Sequence, residues 1–340
     1  MNHSPHYYPL MIILILLFIG LSLIALSVGP ANIPVDQTVR ILLSGPETVS
    51  AGIKSTSHNI IWNLRFPRIL AGAVTGAALA VSGMVYQAIF KNPMSDPFVL
   101  GISSGAAFSV AFASYIGIVT AAAGVWTVPI VAFAGSLGTS MLIFVLSNGI
   151  RRSPTTLLLT GIALNFLLSA LMTLFLYLNR AQLQNIMQWT MGSFSNSSWT
   201  KVIILSISSL IGIIPIFAFI KELDLLLLDN FTAVSIGMNI RSVRIILLIL
   251  CTVSTSVTVA FFGIIGFVGL MVPHIMRILV GPRHRNLLPV SIIGGAVMVI
   301  ASDTISRIAI SPSELPVGVI TSLFGAPLFI ILLVNNKKRR

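Results

Sequence analysis

Apolar runs of close to twenty residues recur along the whole chain, separated by short segments in which Pro, Gly, Lys and Arg gather. A helix needs about 20 apolar residues to cross a bilayer, so the pattern predicts an all-α protein of about ten transmembrane helices. The runs are Leu10–Val28, Pro67–Ala88, Pro97–Tyr115, Val125–Leu146, Thr155–Leu178, Trp199–Ile220, Arg241–Phe262, Phe267–Val280, Leu287–Ile305 and Leu315–Val334. The third and eighth are short, as helices that tilt or hide between neighbours would be. The first follows a stretch without Lys or Arg (Met1–Pro9) and exceeds the roughly 7–15 residues of a secretion-signal core, so it reads as a retained span. Between the first two runs lies a polar connection, residues 29–64. Within it Val35, Val39, Leu42 and Leu43 follow Pro34 at helical spacing, which predicts a short amphipathic helix on the membrane interface. The chain, residues 1–340, reads as a single transmembrane domain.

Composition agrees: 56% of residues are hydrophobic and 8% charged, where soluble domains carry about 25% charged residues. A net charge of +12 raises the question of nucleic acid, but the cations cluster at the ends of apolar runs. They therefore set topology, with membrane lipids as the bulk partner and no nucleic acid. With both termini cytoplasmic, 13 of the 20 Lys and Arg fall inside, the bias expected of that orientation. The lone cysteine, Cys251, excludes an internal disulfide and a CxxC metal site. No metal or cofactor is expected.

Small residues recur along the runs. Gly72, Gly76 and Ala80 mark a face on which helix backbones approach closely. Catalytic patterns are thin. Gly101-Ile-Ser-Ser-Gly105 matches G-x-S-x-G, with His274 on another run as an imaginable base, but the nucleophile elbow needs a strand-to-helix turn. Ser103 and Ser104 are better read as bonding to backbone or a neighbouring helix. No Walker A motif is present, so the chain does not itself hydrolyse ATP. The eight acids lie in loops or at run ends, which argues against an ion-coupled secondary transporter with mid-membrane carboxylates. An external motor is implied. Its seat would be the long cytoplasmic segment 221–240, which mixes leucines with Glu222, Asp224 and Asp229 and stops at Gly237. On the outer side, Arg65 and Arg68 stand at what reads as a helix start, where the macrodipole disfavours cations. Arg307 closes another run four residues after Asp303. Their partners are either acids of an outside protein, lipid headgroups, or Asp303 itself.

Taken together these residues resemble the FecCD-type permeases of bacterial and archaeal importers of iron chelates and cobalamin. The resemblance rests on Arg65-Phe-Pro-Arg68-Ile-Leu-Ala71, Gly76-Ala-Ala-Leu-Ala-Val-Ser-Gly83, Asn92-Pro-Met-Ser-Asp-Pro97 and Leu100-Gly-Ile-Ser-Ser-Gly-Ala106. It continues through Trp189-Thr-Met-Gly-Ser-Phe194, Gly263 to His274 with Arg277, Leu315-Pro-Val-Gly318 and Gly325-Ala-Pro327. It implies a type II ABC importer permease fold of ten spans in the cytoplasmic membrane. It also implies a second permease subunit, identical or homologous, two cytoplasmic ATPase subunits and an extracytoplasmic substrate-binding protein. The cargo it implies is a ferric siderophore, or alternatively haem or cobalamin. By motif, Arg65, Arg68 and Arg307 would receive acids of the binding protein. Leu223, Asp224, Asp229, Ala233, Ser235 and Gly237 would lie in the helices that couple to the ATPase. Ser153, Thr155 and Thr156 would form a cytoplasmic gate, and the fifth and tenth spans the pathway.

Overall fold

The computed structural model describes residues 6–48, 53–120, 124–147, 154–310 and 313–337. Among these, every regular element is helical. The long elements are α1 (Tyr7–Ser27), α4 (Phe66–Ile89), α6 (Thr127–Leu146), α7 (Pro154–Leu178), α9 (Trp199–Ala218), α12 (Ile240–Phe262) and α14 (His284–Ile308). These seven are long and apolar enough to cross a membrane, counted over the described residues. The other three predicted runs fall on α5 (Ile102–Tyr115), α13 (Val268–Val280) and α15 (Val317–Lys337). Short helices occupy the connections: α2 (Val35–Ser44), α3 (Ser55–Asn59), α8 (Leu183–Thr190), α10 (Ile220–Leu226) and α11 (Asn230–Ser235).

Helix α4 is the axis of the bundle. Almost every side chain from Pro67 to Ile89 is buried, and α9, α12, α13 and α14 all pack against it. Its glycines make that possible. A Cβ at Gly76 would stand 2.1 Å from the Gly295 carbonyl oxygen of α14, and one at Gly83 would stand 1.7 Å from that of Gly269 on α13. The small-residue face read from the sequence is thus a backbone-to-backbone contact. Peripheral helices show the opposite pattern. Ile12, Leu16, Phe166 and Ile211 point large apolar side chains outward, as helices solvated by lipid do.

One boundary differs from the sequence pattern. The spacing predicts a helix that starts at Pro67, but the helix begins at Ser55 and runs through a π-helical turn, Ile60–Arg65, straight into α4. Proline lacks the N–H that would bond one turn back, and the wider turn directly upstream accommodates its ring. Arg65 and Arg68 therefore do not sit at a helix N-terminus, and the dipole penalty assigned to them does not arise.

The helix α2 forms where its spacing predicts. The face it buries is Thr38 and Ile41, while Leu43 is 82% exposed. Between α12 and α13 the chain leaves the helix over Gly263–Gly266, and Phe267 takes a left-handed φ of 67°. Irregular backbone at membrane depth needs protein around it. Here the Ser193 N–H bonds to Phe262 O at 2.9 Å and the Val317 N–H to Gly192 O at 2.9 Å, knitting three segments together.

Candidate functional site

Three arginines gather where α1, α4 and α14 meet, and each finds a partner within the chain. Arg65, 6% exposed, donates from Nη1 to the carbonyls of Leu26 and Ser27 and from Nη2 to that of Ala31. Arg307, 4% exposed, donates to Ala25 O at 3.0 Å and Val28 O at 3.2 Å. The last carbonyls of a helix have no partner of their own and carry its negative pole. Two guanidiniums thus cap the end of α1. Arg68 forks onto Asp303 from α14, with contacts of 2.8–3.1 Å, and its Nη1 reaches Glu314 at 3.0 Å. Asp303 also stands 3.4 Å from Arg307 Nε. Glu314 is the accessible member, its side chain 30% exposed against 4% for Asp303.

At the opposite end of α4 lies the segment 221–240. Read from sequence as one amphipathic stretch, it folds as two short helices, α10 and α11, joined at Leu227–Asp229. Leu223 and Ala233 are buried and pin the segment to the bundle. Asp224 accepts from the backbone N–H of His284 at 2.9 Å and meets its ring Nδ1 at 2.7 Å, tying α10 to the first turn of α14. Burial raises the affinity of the Asp224 carboxyl for its proton, but the His284 contacts outweigh it and hold the group below the usual carboxylate range. Asp229 caps α11 through the Thr232 N–H at 2.8 Å, and that bond with the Thr232 hydroxyl at 2.6 Å holds its carboxyl low. Ser235 bonds back to Phe231 O, and Gly237 ends α11 at a φ of 89°.

The residues named from sequence are therefore mostly internal braces. Outward from the same segment stand Phe231 (83% exposed), Val234 (60%) and Ile236 (62%), which the sequence reasoning did not single out. Their signal was apolar side chains at i and i+3 in a segment too polar to span, and the acids beside them drew attention instead. Of the gate residues, Ser153 lies outside the described residues. Thr155 and Thr156 occupy the first turn of α7, with Thr155 exposed. The G-x-S-x-G reading finds no geometry. Ser103 and His274 line separate cavities and share no hydrogen bond, and Ser104 bonds to Asn165 on α7.

A buried helical core, seven helices long and apolar enough to cross a membrane among the described residues, and outward-facing apolar side chains define a multi-pass membrane protein. The model of the FecCD transport family matches residues 13–335, and the chain belongs to that family. It is 36% identical over 329 residues to the hemin transport system permease HmuU of Yersinia pestis, covering 96% of this chain and 97% of the relative. It is 39% identical over 290 residues to the cobalamin import system permease BtuC of Halobacterium salinarum, covering 85% and 77%. Among solved structures, an inward-facing conformation of a putative metal-chelate type ABC transporter superposes with a TM-score of 0.82 at 31% identity, covering 96% of this chain and 98% of that one. The protein is an ABC importer permease, a multi-pass protein of the inner membrane.

Proposed function

We propose that this permease imports a ferric siderophore, with haem or cobalamin as the alternative cargo of the same machinery. It would work as a dimer, with an identical or homologous permease, on two cytoplasmic ATPase subunits and under an extracytoplasmic binding protein. Ten spans with both termini inside is the topology we assign, on the cation bias, and the whole chain forms one transmembrane domain. The observation that carries the reading is the patch of Phe231, Val234 and Ile236, apolar side chains that nothing among the described residues covers. Such a patch suits the groove of a soluble partner. The braces behind it, Leu223, Asp224 and Ala233, would pass a push on α11 into α10 and, through His284, into α14. Support for a chelate comes from the names of relatives and of the structural neighbour, which include haemin, cobalamin and metal chelates alongside a molybdate importer.

In this reading Arg65, Arg68 and Arg307 form the docking region for the binding protein, and Arg68 is the arginine an incoming carboxylate would reach. It would do so by replacing Glu314, the exposed member of the cluster. Glu314→Gln should then tighten docking several-fold and Arg68→Gln weaken it. Unchanged or weaker docking in Glu314→Gln would remove the arginines from the docking surface. Thr155, Thr156 and Ser153 remain the assigned gate. The function is tested by reconstituting the permease with its ATPase and binding protein in vesicles. Radiolabelled ferric hydroxamate, haem and cobalamin are then offered in turn, with and without ATP. Uptake of the ferric chelate alone, strictly dependent on ATP, is the expected result. Accumulation by the permease without an ATPase would instead revive the secondary-transporter reading.

A further inference from the structure

Where α4 ends and α13 runs past it, a cavity of about 430 Å³ presents Lys91, Asn92, His274 and Arg277 beside Leu227 and Ile278. No acid lines it. Arg277 donates from Nη1 to the Gln87 side-chain oxygen at 3.0 Å, and the Gln87 amide is itself committed to Leu270 O at 3.0 Å. The guanidinium thus has only a neutral acceptor, and its buried Nε and Nη2 have none. His274 is 7% exposed, and neither ring nitrogen has a hydrogen-bond partner. Lys91 holds a left-handed φ of 49°, a conformation that a non-glycine residue adopts at a cost. Its ammonium donates to the Leu228 carbonyl. Its charge adds to what holds the Asp229 carboxyl low, and that carboxylate is already engaged by Thr232.

A cation left unpaired inside protein is strongly unfavourable, and nothing in the described chain neutralises Arg277. An anionic ligand in the cavity would supply the missing charge. Phosphate oxygens suit it, because a guanidinium forks onto two of them and an ammonium adds a third contact. The walls narrow the choice further. Ile278 and Leu279 are 49% and 44% exposed on the outer flank of α13, a path for an acyl chain leading away from the basic end. Basic cavities between spans at the membrane face are where anionic headgroups lodge. We propose that this cavity binds the phosphate of an anionic phospholipid, with Arg277 and Lys91 as the cationic contacts and His274 donating a neutral N–H. Arg277 Nε and Nη2 are closed off from solvent, so they engage by a rotation of the guanidinium, which gives up at most the Gln87 contact and breaks no ion pair. Bound lipid would bridge α4 and α13 beside Leu227 of the coupling segment, and so would stiffen the base on which α10 and α11 stand.

The test uses the full chain purified in neutral detergent, with release of the buried Cys251 thiol to a fluorogenic maleimide as the melting signal. Phosphatidylglycerol, phosphatidylcholine and inorganic phosphate are titrated separately, and native mass spectrometry counts retained lipid. Phosphatidylglycerol should raise the melting temperature by several degrees and phosphatidylcholine much less. Lys91→Gln should weaken the phosphatidylglycerol response about five-fold, the equivalent of about 1 kcal/mol per basic residue. Lys91→Arg should restore it, and Arg277→Gln should weaken it similarly. Lys91 contributes only one carbonyl contact to the fold, so its variant remains interpretable if Arg277→Gln fails to fold. An equal response to inorganic phosphate, abolished by the same variants, would overturn the lipid assignment in favour of free phosphate. A phosphatidylglycerol response unchanged in Lys91→Gln and in Arg277→Gln, or absent from the native chain, would overturn the site.

Discussion

Asp303→Asn isolates the outer ion cluster. The carboxylate is 3% exposed. It takes the fork of Arg68 at 2.8–3.1 Å and stands 3.4 Å from Arg307. Removing one partner of a buried pair typically costs 3–5 kcal/mol, because the other charge is left unbalanced. Two features of the site pull the value toward the lower end. Arg68 keeps Glu314 at 2.9 Å, and Arg307 keeps the carbonyls of Ala25 and Val28. Asparagine also retains one oxygen acceptor. The expected loss is therefore about 3 kcal/mol. At about 2.1 cal/mol/K of unfolding entropy per residue, a chain of 340 residues should then fall by about 4 °C in melting temperature. Cys251, the only cysteine and 1% exposed, makes the assay direct: its thiol reacts with a fluorogenic maleimide only once the bundle opens. Arg68→Gln alone should cost a similar amount, and the double variant much less than the sum, because the stranded charge is gone. A shift under about 1 °C in Asp303→Asn, or strict additivity in the cycle, would show that the cluster does not hold α4 to α14.

Three further outcomes follow from the same geometry. Gly83→Ala should abolish or severely destabilise the folded chain, since its Cβ would lie 1.7 Å from the Gly269 oxygen, whereas Gly138→Ala, with nothing within 4 Å, should be silent; thiol melting compares them. Asp96, between α4 and α5, is pushed up to about 6 by burial against the pull of the Phe98 N–H. A carboxyl raised above its unfolded value costs stability as pH rises through 6, so Asp96→Asn should gain about 2 kcal/mol at pH 8 and nothing at pH 4. That figure is set below the full two units because Asp96 keeps some access to solvent. For Asp224 the sign reverses. Its carboxyl is held low by His284, so its contribution is present above about pH 4 and lost as pH falls further; Asp224→Asn should flatten the acid limb of the melting profile below that pH, and an unaltered limb would remove the α10–α14 tie.

The helices were legible because their signal is cumulative. Runs of twenty apolar residues, and glycines four apart, report burial and close approach whatever the tertiary detail. Partners were legible only where they lie close in sequence: Asp303, four residues before Arg307, reads as its partner and stands 3.4 Å from it. The spacing of Arg65 and Arg68 gives no hint that the carbonyls of Leu26 and Ser27, 39 and 38 positions away, would be at hand. Asp303 and Glu314 were visible as acids, but their meeting with Arg68 depends on the crossing of α4 and α14. The misplaced start of α4 compounded this, because Pro67 reads as a helix opener unless the π turn before it is seen. In the coupling segment the charged residues looked functional, yet Asp224 and Asp229 are spent on capping. What is left to face a partner is Phe231, Val234 and Ile236, ordinary apolar residues whose exposure no local pattern states.

The cluster also sets the energetics of the docking we propose. A carboxylate arriving from outside does not meet a free guanidinium, since Arg68 already holds Asp303 and Glu314. It replaces Glu314, and only the difference between the two contacts appears as affinity. Glu314 is tethered to the same chain and so acts at high effective concentration, which weakens any competitor. The exchange also returns Glu314 to water, where a carboxylate is stable, so its release costs little. The two effects leave a seat of modest strength that opens and refills readily, as a binding protein that must leave after each delivery requires. An arginine left bare at the same position would bind more tightly and release more slowly, and in the bundle it would leave α4 without its tether to Glu314 beside α15.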